Sequence, residues 1–131
     1  MNWTPSTKEI ESVEVLEASK RYDYLIKKIA DQEKVWSLWQ EDGWALAGDN
    51  NGREAVPIWP HEQFARLAAS GSWVGYQPKV IELDAWLSRW IAGMEKDNRL
   101  VAVFPTMNDK GVFVEPAKFA IDLRSELQNY E

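Results

Sequence analysis

The stretch REAVPIWPHEQFARLAASGSW, Arg53 to Trp73, decides how this chain is read. Its first half, rich in β-formers and ending at Trp59, reads as a strand. Pro57 brings no N–H to a ladder, so the strand is expected to lie at an edge or to bend there. Pro60 and His61 then open a helix in which Phe64, Leu67 and Ala68 share one face, and Gly71 stands just past its end. The same stretch holds two of the eight tryptophans and the only histidine, so a site is sought here first.

Upstream, KVWSLWQ and GWALAGD are short runs of strand-forming residues, divided by EDG and followed by DNNG. Asn-Gly suits a hairpin because both turn residues tolerate positive φ, and three antiparallel strands in a meander are expected from Lys34 to Pro60. Trp36 and Trp39, an odd number of residues apart, point to opposite faces. Before them, SKRYDYLIKKIADQ sets Tyr22, Leu25, Ile26 and Ile29 on one helical stripe behind Ser19 as cap. PSTKEIESVEVL reads as a shorter helix opened by Pro5 or Ser6, with Ile10, Val13 and Leu16 inward.

Downstream, KVIEL is a short strand, and Asp84 sits where a cap belongs before AWLSRWIAGM. Leu87, Ile91 and Met94 share a face of that helix, with Trp86 and Trp90 on a neighbouring one. LVAVF, Leu100 to Phe104, has no polar residue, as befits a central strand covered on both faces. PTMNDKG turns the chain into VFV, and Pro116 opens a last helix whose inward stripe is Phe119, Ala120, Leu123 and Leu127. The expected fold class is α+β: a single, mainly antiparallel β-sheet, made of the N-terminal meander and a C-terminal hairpin, packed by four to five helices. No repeat or linker tract appears, so residues 1–131 read as one globular domain with the helical segment of about 5–32 packed on it.

Composition removes several function classes. With no cysteine there is no disulfide, zinc–thiolate site, iron–sulfur cluster or thiol nucleophile, which suits a reducing cytoplasm. No secretory leader and no run of eighteen apolar residues appears, so neither secretion nor a membrane span is expected. A net charge of −6 opposes nucleic-acid binding, which draws its strength from lysine and arginine. The nearest thing to a basic patch, Lys20, Arg21, Lys27 and Lys28 with Tyr22 and Tyr24 interleaved, reads as a solvated helix side. The glycines form neither a dinucleotide nor a phosphate-loop pattern.

The order GWAL, PIWPHEQFA, IELDAWLSRWI, VAVFPT and the closing VEPAKFAIDLRSELQNYE resembles the bacterial family called domain of unknown function 2750. The likeness runs through almost the whole chain, including the corner at Trp59 and Pro60. It implies a small bacterial, cytoplasmic protein that forms a stand-alone domain, and implies little about function. More distantly, the chain is similar to the type III secretion regulator SseB. There the matching strand end reads Phe followed by Ser or Thr, where this chain has Trp59, Pro60 and His61.

For chemistry, His61 is the obvious acid/base candidate, but one histidine is not a mechanism. Ser70 and Ser72 sit in no nucleophile motif, and Glu41, Asp42, Asp49, Glu82 and Asp84 fall where turns and caps want acids. No catalytic residue, metal ligand or cofactor is therefore assigned, and the reading leans away from an enzyme. The candidate binding residues are Trp44, Trp59, His61 and Trp73, because Trp59 and Trp73 flank the helix His61 begins and Trp44 lies on the adjacent expected strand. The expected function is a non-enzymatic binding or regulatory module acting through an aromatic surface on an unidentified protein partner. The alternative is a small-molecule or hydrolytic site centred on His61 with those three indoles. Oligomeric state is not legible.

Overall fold

The computed structural model describes residues 3–49 and 51–130. Helices α1 (Thr7–Glu14) and α2 (Ala18–Gln32) lead into strands β1 (Lys34–Gln40), β2 (Gly43–Trp44), β3 (Ala47–Gly48) and β4 (Glu54–Ile58). Then come α3 (Glu62–Ala68), a 3-10 turn (Gly71–Trp73) and β5 (Gln77–Glu82). Next, α4 (Leu83–Ala85), a π turn (Trp86–Trp90) and α5 (Ile91–Lys96) follow without a break as one rod. Strands β6 (Leu100–Val103) and β7 (Val112–Val114), helix α6 (Pro116–Leu127) and a 3-10 turn (Gln128–Tyr130) complete the order. No helix is long and apolar enough to cross a membrane among the described residues.

The class is α+β, but the expected single antiparallel sheet is corrected to two sheets. One is antiparallel, in the order β2-β1-β5; the other is mixed, in the order β3-β4-β6-β7, with β4 and β6 parallel. The run GWALAGD is not one strand. Its start pairs with β1 and its end with β4, so the expected meander divides between the sheets. The expected Asn-Gly turn, Asn51–Gly52, joins β3 to β4: Gly52 takes φ 85° and donates its N–H to Asp49 O at 3.3 Å, and Asp49 Oδ1 accepts the N–H groups of Asn51 and Arg53. Of the two turn residues expected at positive φ, only Gly52 shows it among the described residues.

Pro57 explains the division. The two sheets meet where Trp36 and Trp59 exchange main-chain hydrogen bonds of 3.0 and 2.8 Å. In an antiparallel pair the next such exchange lies two residues on, which would set Leu38 opposite Pro57, and Pro57 has no N–H to give. The Leu38 carbonyl instead accepts from Ala45 N–H at 2.9 Å, and the freed Pro57 carbonyl accepts from the buried Ser37 hydroxyl at 2.7 Å. Pro57 is thus not in an outer strand. It sits in an inner strand whose one open slot faces β1.

Phe104 N–H donates to Ile58 O at 2.9 Å, extending the parallel pair. All four residues of β6 are buried, as are Ala55 to Ile58 of β4. Strands covered on both faces carry continuous apolar runs, and both runs are visible in the sequence.

Among the helices, Ser6 caps α1, its hydroxyl accepting from Glu9 N–H at 3.1 Å. α2 begins one residue before the expected Ser19, with Glu17 at its cap position. In α3 the buried set is Phe64, Ala65 and Ala68, while Leu67 is exposed, because seven residues offer only a narrow inward stripe. Asp84 lies inside α4 rather than capping it. In the π turn Ile91 N–H reaches Trp86 O, an i→i+5 bond that adds a residue to the turn and re-phases the face. Trp86 is therefore buried alongside Ile91 and Met94, while Leu87 is only half-buried.

Replacing Ser37 by Ala leaves the Pro57 carbonyl without a partner in the core and is expected to cost about 1–3 kcal/mol. Urea unfolding checks it; a cost within experimental error of zero would mean that the hydroxyl does not bind the sheets.

Candidate functional site

A concavity lies at the carboxyl ends of β4 and β6, where the chain leaves the sheet at Trp59 and Phe104. Phe104 adopts φ 57°, a left-handed conformation costly for an aromatic residue, and turns the chain into the loop Pro105–Lys110. Buried groups hold this loop. Trp59, 0% exposed, donates its indole N–H to Pro105 O at 2.8 Å. Arg21, 1% exposed, donates to Phe104 O at 3.1 Å, to Leu16 O at 2.5 Å and to the Asp109 carboxylate. Asp109 Oδ1 also accepts Gly111 N–H at 2.7 Å. A Cβ on Gly111, at φ 79°, would stand 2.2 Å from Val103 O, so only glycine passes there. Within the loop, Thr106 Oγ1 accepts the N–H groups of Asn108 and Asp109.

Burial of Arg21 corrects the reading of that residue as part of a solvated basic face. Nothing local in the sequence marks it, since its Phe104 and Asp109 partners lie 83 and 88 residues away. Glu14, nearby, has its carboxyl pushed up by burial, against the pull of Arg21 and with the push of Asp109.

Around the loop opens a hollow of about 420 Å³. Trp73 forms one wall, Ala47 and Gly48 of β3 another, and Ser70, Ser72, Thr106, Met107, Asn108 and Lys110 stand around it. Trp73 is fixed twice: its indole N–H donates to Leu46 O at 3.3 Å, and its ring meets Trp59 edge to face with centroids 5.8 Å apart. Met107 is 73% exposed although its loop is anchored from beneath.

Of the four sequence candidates, the structure brings Trp59 and Trp73 together, with Trp73 lining this hollow and Trp59 supporting it. It places the other two elsewhere. Trp44 stands edge to face with Trp90 at 4.7 Å and near Trp39 at 5.6 Å, beside a hollow of about 520 Å³ that Arg89, Asp84 and Glu82 also line. Lys79 Nζ lies 3.9 Å from the Trp39 ring centroid on that side. His61 meets Trp3 at 5.3 Å and Trp36 at 6.2 Å and lines a hollow of about 270 Å³ with Lys34, Gln32 and Glu62. Its Nδ1 accepts from Gln63 N–H at 3.1 Å, so the imidazole is the cap of α3. Burial lowers its pKa, against the opposite influence of Glu62 and of the Trp3 backbone. Met107, Lys110 and Gly48 were missed by sequence reasoning; the loop PTMNDKG read only as a turn. No group of three or more His, Asp or Glu residues gathers closely enough to hold a metal ion among the described residues.

This is an α+β protein with two bridged sheets and an anchored loop over the carboxyl ends of a parallel strand pair. The chain belongs to the family described as Protein of unknown function (DUF2750), which matches residues 22–123. Every residue named around the Trp73 hollow falls within the match, whereas α1 and Arg21 precede it. Neither the curated proteins nor the solved structures include a significant match to the chain.

Two outcomes follow from the anchors. Asp109→Ala takes the carboxylate from the buried guanidinium; because Asp109 itself is 45% exposed and water can replace part of the contact, the expected cost is about 1.5–3 kcal/mol. Lys110→Ala next to it should stay within about 0.5 kcal/mol, and equal effects in denaturant titration would refute the anchoring. For His61, the folded state disfavours the proton, so its contribution to stability is full above the usual histidine pKa of about 6.5 and falls as pH drops below it. Unfolding followed between about pH 7.5 and 5 should show a steeper loss for the wild type than for His61→Asn, which keeps a capping oxygen. Parallel curves would contradict it.

Proposed function

We propose that this chain is a non-enzymatic binding module that takes a protein partner at the aromatic hollow around Trp73. One observation carries the reading: the loop is locked by Arg21, Trp59 and Gly111, yet presents Met107 outward beside a fixed, half-buried indole. Locking a loop before binding removes its ordering cost from the association, and a rigid aromatic wall with an exposed thioether is the composition of an interface anchor. The left-handed Phe104, a conformation costing about 1–3 kcal/mol, is kept to hold that shape.

Hydrolysis at His61 with Trp44, Trp59 and Trp73 has less behind it. His61 Nδ1 is spent on capping, and Ser70 and Ser72 line a different hollow from the imidazole. A chain without cysteine fits a reducing compartment such as the bacterial cytoplasm.

The test is quantitative capture from the native host with three baits: wild type, Met107→Glu, and Ile121→Glu as a control on another exposed apolar residue, on α6. A saturable partner recovered by wild type and Ile121→Glu but lost with Met107→Glu is expected. Equal recovery by all three baits, or no saturable partner at all, overturns the reading.

A further inference from the structure

β3 is an outer strand of the mixed sheet, and its ladder uses one edge only. Ala47 pairs with Ala55 and Gly48 with Glu54, and Asp49 N–H continues the ladder to Arg53 O at 3.0 Å. Along an antiparallel strand, residues alternately turn their N–H and C=O toward the partner and away from it. Asp49 and Ala47 therefore spend theirs on β4, while Leu46 and Gly48 face outward. The Leu46 carbonyl is occupied by the Trp73 indole. Gly48 is exposed, lines the hollow, has nothing within 4 Å of a Cβ placed on it, and has no main-chain partner on its outer edge among the described residues.

The other sheet treats its outer strand differently. Leu83 N–H donates to Glu33 O at 3.0 Å, so on β5 the alternation turns Gln77, Lys79 and Ile81 toward β1 and Pro78 and Val80 outward. Pro78 has no N–H and Lys79 is charged, which are the usual guards against a further strand. Gly48 has neither guard.

Charge adds a preference. Asp109 and Lys110 both line the hollow; Asp109 is neutralised by Arg21, while Lys110 has no ion-pair partner among the described residues.

We propose that the partner enters as an extended segment that hydrogen-bonds to Gly48 and adds a strand outside β3, seating an apolar side chain between Trp73 and Met107 and an acidic one beside Lys110. Side chains two residues apart share a face of such a segment, so the recognised pattern is apolar, any residue, acidic, in one direction or the other. This rests on the reading of the Trp73 hollow as the binding surface.

The probes are capped pentapeptides, Ser-Leu-Ser-Asp-Ser and Ser-Asp-Ser-Leu-Ser, titrated into nitrogen-labelled protein and followed by NMR. Saturable shifts of the Gly48 amide and the Trp73 indole are expected for one of them, with a dissociation constant on the order of millimolar. N-methylating the three central amides should weaken binding at least about tenfold, since it removes the strand pairing but not the side chains. Gly48→Pro should abolish binding and Gly48→Ala preserve it, with circular dichroism and melting curves checking that both fold. Lys110→Glu should turn the preference toward lysine in place of the aspartate. No shift at Gly48 with either peptide at about 10 mM, or equal binding of the N-methylated peptide, overturns strand addition. If capture still depends on Met107 in that case, the surface stands and only the strand mode falls; if capture is indifferent to Met107, the surface itself is wrong.

Discussion

The exchange of two hydrogen bonds between Trp36 and Trp59 is the contact on which the rest of the molecule depends. It pairs the main chains of the two sheets at one point, and Pro57 prevents that point from growing into a ladder. Because β1 is barred from zipping along β4, the Leu38 carbonyl turns to Ala45, and the short hairpin strand β2 forms on that side. The same bridge fixes Trp59 at the end of β4, where its indole reaches Pro105. The position of the loop over the hollow is thus tied to the junction between the sheets through a single side chain.

Arg21 supplies the second support. A buried guanidinium is costly unless its donors are used, and this one reaches two carbonyls and a carboxylate across the interval between α1, α2 and the loop. Such a group adds little to net stability compared with an apolar residue of similar size, but its three bonds specify where Leu16, Phe104 and Asp109 sit relative to one another. That specification allows Phe104 to stay left-handed and the loop to present Met107 in a fixed place.

The aromatic residues divide by what their polar edges do. Trp59 and Trp73 have indole N–H groups bonded to carbonyls, so each has a fixed orientation. Trp86 is buried with no partner for its N–H among the described residues, packed against Trp90 and edge to face with Phe119. Its place follows from the π turn rather than from a hydrogen bond. A composition rich in tryptophan is consistent with a surface or a core, and here it provides both.

What the sequence by itself determined is the set of elements and most of their inward faces. Periodicity placed Leu25, Ile26 and Ile29 on α2, Phe119 and Leu123 on α6, and the buried run of β6, because apolar spacing is a local property written in the chain. It marked Pro57 as a ladder break and Trp59 and Trp73 as neighbours of interest. It did not reveal two sheets, the parallel pairing of β4 with β6, or the burial of Arg21, and it scattered the candidate site over three places. Those were decided by contacts between residues far apart in the chain: a missing N–H acts only on the strand that arrives opposite it, and a buried charge is tolerable only where its distant partners converge.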